Sequence, residues 1–246
     1  MSGADERALP RALRRVGHKG ADHLVPGNTL ASFDAALEHD VDMVEFDVLP
    51  ERTDGTGRLL LAHDYVDLER RRGEVLTLEE GLDHVARETW GAIELDVDLK
   101  LPGYEDRVVH ALAQRGLTDR ALVSTMELAS LRRLRELDPA LRLGWSVPKV
   151  RRDYLAHPAT KALAVAGVAV LRRHLPRRVA AAIRAGAVDA VMAHWSVVTP
   201  RMAAAVADAG GELYVWTVDD AARIAELEAL GVTGVITNDP SLFGPR

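Results

Sequence analysis

Proton carriers and carboxylates crowd the first hundred residues: His18 and Lys19 in "HKG", Glu45 and Asp47 in "EFD", His63 and Asp64 in "HD", then Asp96, Asp98 and Lys100 in "LDVDLK". Side chains alternate across an extended strand, so Glu45 and Asp47 share one face, and Glu94, Asp96, Asp98 and Lys100 share the face of another strand. Carboxylates converging in a low-dielectric interior repel one another and resist ionisation unless a cation neutralises them. Two sources of that charge fit the residues. One is an oxygen-ligated divalent ion, Mg²⁺ or Ca²⁺ rather than zinc, because there is no cysteine and no His-x-x-x-His. The other is a salt-bridged ring with Lys19, Lys100 and neighbouring arginines. His18 and His63 exchange protons near neutral pH, and two such groups flanking a cation-bound phosphodiester would suit acid/base cleavage. Lys19 would offer its charge to a phosphate oxygen. His39, His84 and His110 fall in helical patterns, and His157 and His174 in an arginine-rich helical region; His23 and His194 stay open.

These residues need elements to bring them together. Short apolar runs recur with helical stretches between them, the pattern of parallel strands joined by crossover helices. Eight such strands are expected: "RRVGHK", "DMVEFDV", "AIELDVDLK", "ALVST", "LRLGWSV", "AVMAHW", "ELYVWTV" and "GVITN". Eight units over 246 residues predict an α/β fold of the TIM (β/α)8 type. In such barrels the chemistry gathers at the C-terminal ends of the strands, where the polar residues above lie. Between the second and third strands, "PERTDGTGRLLLAHDY" turns at Asp54-Gly55 and predicts a hairpin insertion over the barrel mouth. Asn28 or Thr29 can cap "LASFDAALEH", Thr77 with Glu80 reads as a capping box, and Gly116, Gly186 and Gly210 can end helices. The stretch 150–186 should be helical, broken into pieces by Pro158 and Pro176. With no interdomain linker, residues 1–246 are expected to form a single domain with its core at about 14–243.

Composition narrows the partners. A formal charge of −6 provides no basic footprint for nucleic acid, and the arginine clusters at 14–15, 70–72, 132–133 and 172–173 read as solvated faces. No apolar run reaches the roughly 18 residues of a membrane span, so no stable membrane insertion is expected. The N-terminal "MSGADERALPRALRR" lacks a secretory apolar segment, which makes the expected location cytoplasmic.

In order along the chain, "HKG" at 18–20, "PGNT" at 26–29, "EFD" at 45–47, "HD" at 63–64, "DLK" at 98–100, "VWTV" at 215–218 and "GVITNDP" at 234–240 resemble the glycerophosphodiester phosphodiesterase family. The resemblance implies a TIM barrel that hydrolyses small-molecule glycerophosphodiesters to glycerol 3-phosphate and an alcohol. It implies that Glu45, Asp47 and Asp98 hold one divalent ion, Mg²⁺ or Ca²⁺, with His18 and His63 as the acid/base pair. Lys19 and Lys100 would meet the phosphoryl oxygens, and Trp216 would wall the pocket. Three positions depart from the family pattern. Lys19 stands for an arginine, Gly27 for a glutamate whose loss makes the mouth more positive, and Asp98 for a glutamate one methylene longer. The shorter Asp98 side chain predicts weaker ion binding. Two alternatives belong beside this reading: a non-catalytic binder of phosphodiesters or phospholipid headgroups, and a phosphodiesterase acting on lysophospholipids.

Overall fold

The computed structural model describes residues 12–71, 73–149 and 158–246, with side chains at all of these except 158–165. Nine strands occur in chain order: β1 (Arg14–Gly17), β2 (Met43–Pro50), β3 (Leu59–Leu60), β4 (Glu94–Leu99), β5 (Ala121–Thr125), β6 (Arg142–Val147), β7 (Ala190–His194), β8 (Glu212–Trp216) and β9 (Gly234–Thr237). All but β3 run parallel, each hydrogen-bonded to the next, and β9 pairs with β1 so that the sheet closes. The helices are α1 (Leu30–Glu38), α2 (Tyr65–Arg70), α3 (Leu78–Val85), α4 (Glu105–Gln114), α5 (Leu128–Leu137), α6 (Pro158–Arg184), α7 (Pro200–Ala207) and α8 (Ala221–Ala229). The result is the expected (β/α)8 barrel, and no described helix is long and apolar enough to cross a membrane.

The expected hairpin is present. Beyond the barrel, β2 continues to Pro50 and folds back as β3, pairing Leu49 with Leu60 and Pro50 with Leu59 in antiparallel register. Gly55 N donates to Arg52 O within the turn at 3.0 Å. The excursion ends at His63 and enters α2, which Asp64 caps by accepting from Asp67 N.

Alternation sorts each strand into an outward and an inward set. Outward residues such as Val44, Phe46, Leu95, Val97 and Val123 pack under the helices in the main core. The inward set stacks in three tiers. At the N-terminal end lies an ionic floor: Arg14 grips Glu94 at 2.6 and 2.5 Å, Arg142 bridges Glu94 and Glu212 at 2.6 Å each, and Tyr214 Oη donates to Glu212. Above it Val16, Met43, Leu122, Ala190, Met192, Tyr214 and Ile236 form a second apolar cluster that plugs the barrel. The third tier, at the C-terminal ends of the strands, carries the carboxylates.

Two expectations need correction. Arg14 is no solvated charge, because β1 turns it inward onto Glu94; Arg132, Arg133, Arg172 and Arg173 are exposed as expected. Pro176 does not break α6, which runs unbroken from Pro158 to Arg184. A proline forfeits one helical hydrogen bond, and here Leu175, Val179, Ala180 and Ile183 stay buried on one face through the site of that loss. The part of the expected helical stretch at 150–157 lies outside the described residues, and His157 with it. His84, in α3 as expected, meets Asp34 at 2.7 Å.

Candidate active site

The site is assembled from four strand ends and the loop after β1. Register places Glu45 beside Asp96 and Asp47 beside Asp98, with Ser124 flanking Asp98 from β5. Glu45, Asp47 and Asp98 each offer an oxygen within 4.8 Å of the other two. Three converging carboxylates form an all-oxygen donor set, the ligand chemistry that suits Mg²⁺ or Ca²⁺. Asp98 reaches the cluster despite its shorter side chain. Asp96 lies one tier deeper, fully buried, with its Oδ1 lacking a hydrogen-bond partner among the described residues.

Burial and crowding shape the charges. The Asp96 carboxyl is pushed up to about 8 by burial and then by Asp98. Burial, then Asp47, likewise carries Glu45 well above the ordinary carboxylate range. Burial is the largest single influence on Asp47 and would raise it, but Lys100, His63, His18 and Lys19 together outweigh burial and hold Asp47 ionised. Lys100 Nζ pairs with both Asp47 and Asp98. Among the described residues no arginine is paired with Glu45, Asp47, Asp96 or Asp98; arginine ion pairs of that kind occupy the floor of the barrel instead.

The loop after β1 brings the next groups. Lys19 takes a left-handed φ of 49°, which aims its backbone N–H at Glu45 Oε2, 2.8 Å away. Gly20 follows at φ 86°, where a side chain would strike Ser32 Oγ, the same hydroxyl that donates to Lys19 O. Lys19 Nζ points to Asp22 at 3.4 Å. Gly27 gives the Asp22 carboxylate its place: a Cβ there would lie 2.5 Å from Asp22 Oδ1, which accepts from Gly27 N at 2.7 Å. The mouth therefore keeps a carboxylate beside Lys19, and the added positive charge expected from Gly27 is offset by Asp22.

His18 lies at the seam between β1 and β9. Its Nδ1 meets Asn238 Oδ1 at 2.5 Å, and Nε2 lies 3.7 Å from Glu45 Oε2. Burial lowers its affinity for a proton. His63 stands apart, half-exposed at the end of the hairpin excursion and touching Asp64 at 3.2 Å. Its link to the carboxylates is its field at Asp47. Trp216, at the end of β8, rests on the apolar plug, donates from Nε1 to Met192 O at 2.9 Å and stacks edgewise on His194 with ring centroids 5.0 Å apart. The structure thus brings His18, Glu45, Asp47, Asp98 and Lys100 together, with Lys19 adjoining through its backbone.

Several supporting residues lie outside the sequence-based set. Thr29, not Asn28, caps α1. Asn28 sits at φ 56° and clasps Asp47 twice, donating Nδ2 to Oδ2 at 2.8 Å and accepting from Asp47 N at 3.1 Å. Arg71, read from sequence as solvated, holds that loop by donating to Gly27 O and Asn28 O at 3.3 Å each. Asn238 and Asp219 adjoin His18, and His23 lies beyond them, 4.0 Å from Asp219. The closed barrel makes β1 and β9 neighbours, so residues just past both strands, His18 and Asn238, were the available signal.

The glycerophosphoryl diester phosphodiesterase family matches residues 18–71 and 61–242. A glycerophosphodiester phosphodiesterase of Caldanaerobacter subterraneus subsp. tengcongensis is 22% identical, covering 92% of this chain and 93% of its own. In fold, the chain is similar to a phosphodiesterase of Oleispira antarctica, solved in complex with the product sn-glycerol-3-phosphate, at a TM-score of 0.68 and 19% identity, covering 95% of this chain and 98% of that one. A glycerophosphodiester phosphodiesterase of Agrobacterium tumefaciens superposes with a TM-score of 0.66 at 18% identity, covering 94% of this chain and 98% of the other.

Proposed function

Since this chain belongs to the glycerophosphoryl diester phosphodiesterase family and is a phosphoric diester hydrolase, we propose that it cleaves glycerophosphodiesters to glycerol 3-phosphate and an alcohol at the mouth of the barrel, with one divalent cation and His18 and His63 as the acid/base pair. The observation that carries this reading is the convergence of Glu45, Asp47 and Asp98 within 4.8 Å, with His18 Nε2 beside Glu45. Those three carboxylates would hold Mg²⁺ or Ca²⁺, which supplies charge stabilisation for the phosphoryl oxygens.

The protein's own groups do the rest. One histidine takes the proton of the glycerol hydroxyl next to the phosphate as that oxygen attacks phosphorus, and the other returns a proton to the departing alcohol. A cyclic phosphate results, and the same two groups reverse roles as water opens it. Lys100 and Lys19 would neutralise charge on the phosphoryl oxygens. Asn28 keeps Asp47 in place through both of its amide atoms. Trp216 would give the pocket an apolar wall.

Purified protein incubated with glycerophosphocholine or glycerophosphoethanolamine should release glycerol 3-phosphate with Mg²⁺ or Ca²⁺ and cease to do so with a chelator. The His18→Ala variant should lose at least about a hundredfold in kcat. Release that survives both chelation and the His18→Ala change would refute the mechanism. Absence of release with either ion would refute the substrate assignment.

A further inference from the structure

Asn238 and Asp219 form a chain of hydrogen bonds with a fixed direction. Asp219 Oδ1 accepts from Asn238 N at 2.8 Å and from Thr237 Oγ1 at 3.0 Å. Its other oxygen, Oδ2, meets the Asn238 side-chain amide at 2.7 Å. An ionised carboxylate only accepts, so the amide end facing it must be the NH₂ group, and the end facing His18 must be the carbonyl oxygen. That oxygen also only accepts. Nδ1 of His18 must therefore carry the hydrogen, which leaves the lone pair of the neutral ring on Nε2, directed toward Glu45. Geometry and donor chemistry fix the tautomer, independent of any assignment of ring hydrogens.

We propose that Asp219 and Asn238 are positioning residues for His18: Asp219 orients the Asn238 amide, and Asn238 holds the imidazole in the form whose Nε2 can accept the substrate hydroxyl proton. The proposal rests on the reading of His18 as a proton carrier. In the reaction the hydroxyl proton passes to Nε2, giving an imidazolium with Nδ1–H still bonded to Asn238. The oxygen left by that proton forms the new bond to phosphorus while the bond to the leaving alcohol breaks.

The same logic predicts an inversion. In an Asp219→Asn variant, the position now held by Oδ1 must remain an oxygen, because a backbone N–H and a hydroxyl donate to it. The new NH₂ would then face Asn238, whose amide must turn over and present its own NH₂ to His18. Nδ1 becomes the acceptor and the hydrogen moves to Nε2. Adding Asn238→Asp restores an acceptor on both sides, so the double variant D219N/N238D should regain the original tautomer.

The test uses ¹⁵N-histidine-labelled full-length protein without added ion or substrate, and reads the His18 ring-nitrogen shifts alongside turnover of glycerophosphocholine in the presence of Mg²⁺. Expected results are the Nδ1–H form in wild type, the Nε2–H form in D219N with kcat lowered about a hundredfold and KM within threefold, and recovery of the tautomer and at least tenfold of the lost kcat in D219N/N238D. A D219N protein that keeps both the Nδ1–H form and a kcat within threefold overturns the proposal. A double variant no better than D219N does the same. If D219N fails to fold, Asn238→Ala decides: loss of the sole Nδ1–H form with at least a tenfold fall in kcat supports the relay, and an unchanged tautomer refutes it. Should wild-type protein release no glycerol 3-phosphate, the proposed function fails, while the ring-nitrogen shifts still decide the relay.

Discussion

At the scale of single residues, Lys100 neutralises part of a cluster that an ion would neutralise better. Its ammonium reaches Asp47 and Asp98 but not Glu45. Removing it should expose the uncompensated carboxylates. Breaking a buried ion pair costs about 3–5 kcal/mol, and with the Lys100 side chain 20% exposed we expect roughly 2–3 kcal/mol for Lys100→Gln in ion-free protein. Saturating Ca²⁺ should then raise the Tm of the variant more than that of wild type, because ligand binding stabilises the state it prefers. Scanning calorimetry with and without the ion checks this, and equal shifts would count against an ion among these carboxylates. Asp98 supplies the second residue-level expectation. Lengthening it by one methylene in Asp98→Glu should tighten the ion's Kd severalfold in titration calorimetry, and an unchanged Kd would show that reach does not limit the site.

At the scale of elements, the insertion between β2 and α3 links the mouth to the loop after β1. Arg71, just past α2, donates to Gly27 O and Asn28 O, so α2 steadies the loop whose Asn28 steadies Asp47. Arg71→Ala should cost about 1–2 kcal/mol in stability and speed amide exchange at Asp47, whose N–H bonds to Asn28; hydrogen-exchange mass spectrometry would detect it, and unchanged protection would mean the loop holds its shape without α2. This link was not legible in the sequence, since an arginine in "RRR" looks the same whether solvated or turned onto two carbonyls. The barrel strands were legible because period-two alternation is local. So were the Thr77–Glu80 cap and the turn before β3, each determined within a few residues. Glu45 and Asp47 could be placed on one face for the same reason. What local patterns do not show are bonds that closure creates between distant segments, Arg14 with Glu94, 80 residues apart, and His18 with Asn238, 220 apart; only the expected closing of the barrel points to the second. Pro176 misled for a different reason, because its local penalty was outweighed by burial of one face of α6.

At the scale of the whole molecule, the barrel interior carries ion pairs at its floor, hydrocarbon in its middle and carboxylates at its mouth. Burial raises the Glu94 carboxyl, but Arg14 and Arg142 outweigh it and hold it below its ordinary range. A depressed folded-state pKa contributes stability that is present above the unfolded value, about 4.3, and is lost as pH falls through the folded value. Glu94→Gln should thus destabilise the protein by roughly 2–3 kcal/mol at pH 7, and the gap from wild type should narrow below about pH 4. Urea melts across that range measure both. A gap that stays constant with pH would show that the floor contributes through packing alone.

The seam between β1 and β9 joins His18 to Asn238 across nearly the full length of the chain. Contacts of such long sequence separation form late, since the chain must first lose the entropy of a large loop. On the proposed mechanism, a nascent chain would acquire most of the sheet and Glu45, Asp47 and Asp98 before Asn238 could hold His18. Hydrolytic competence would then be the last property to emerge during biogenesis, appearing only when the circle closes, so that a partly folded barrel could sequester a cation while leaving phosphodiesters intact.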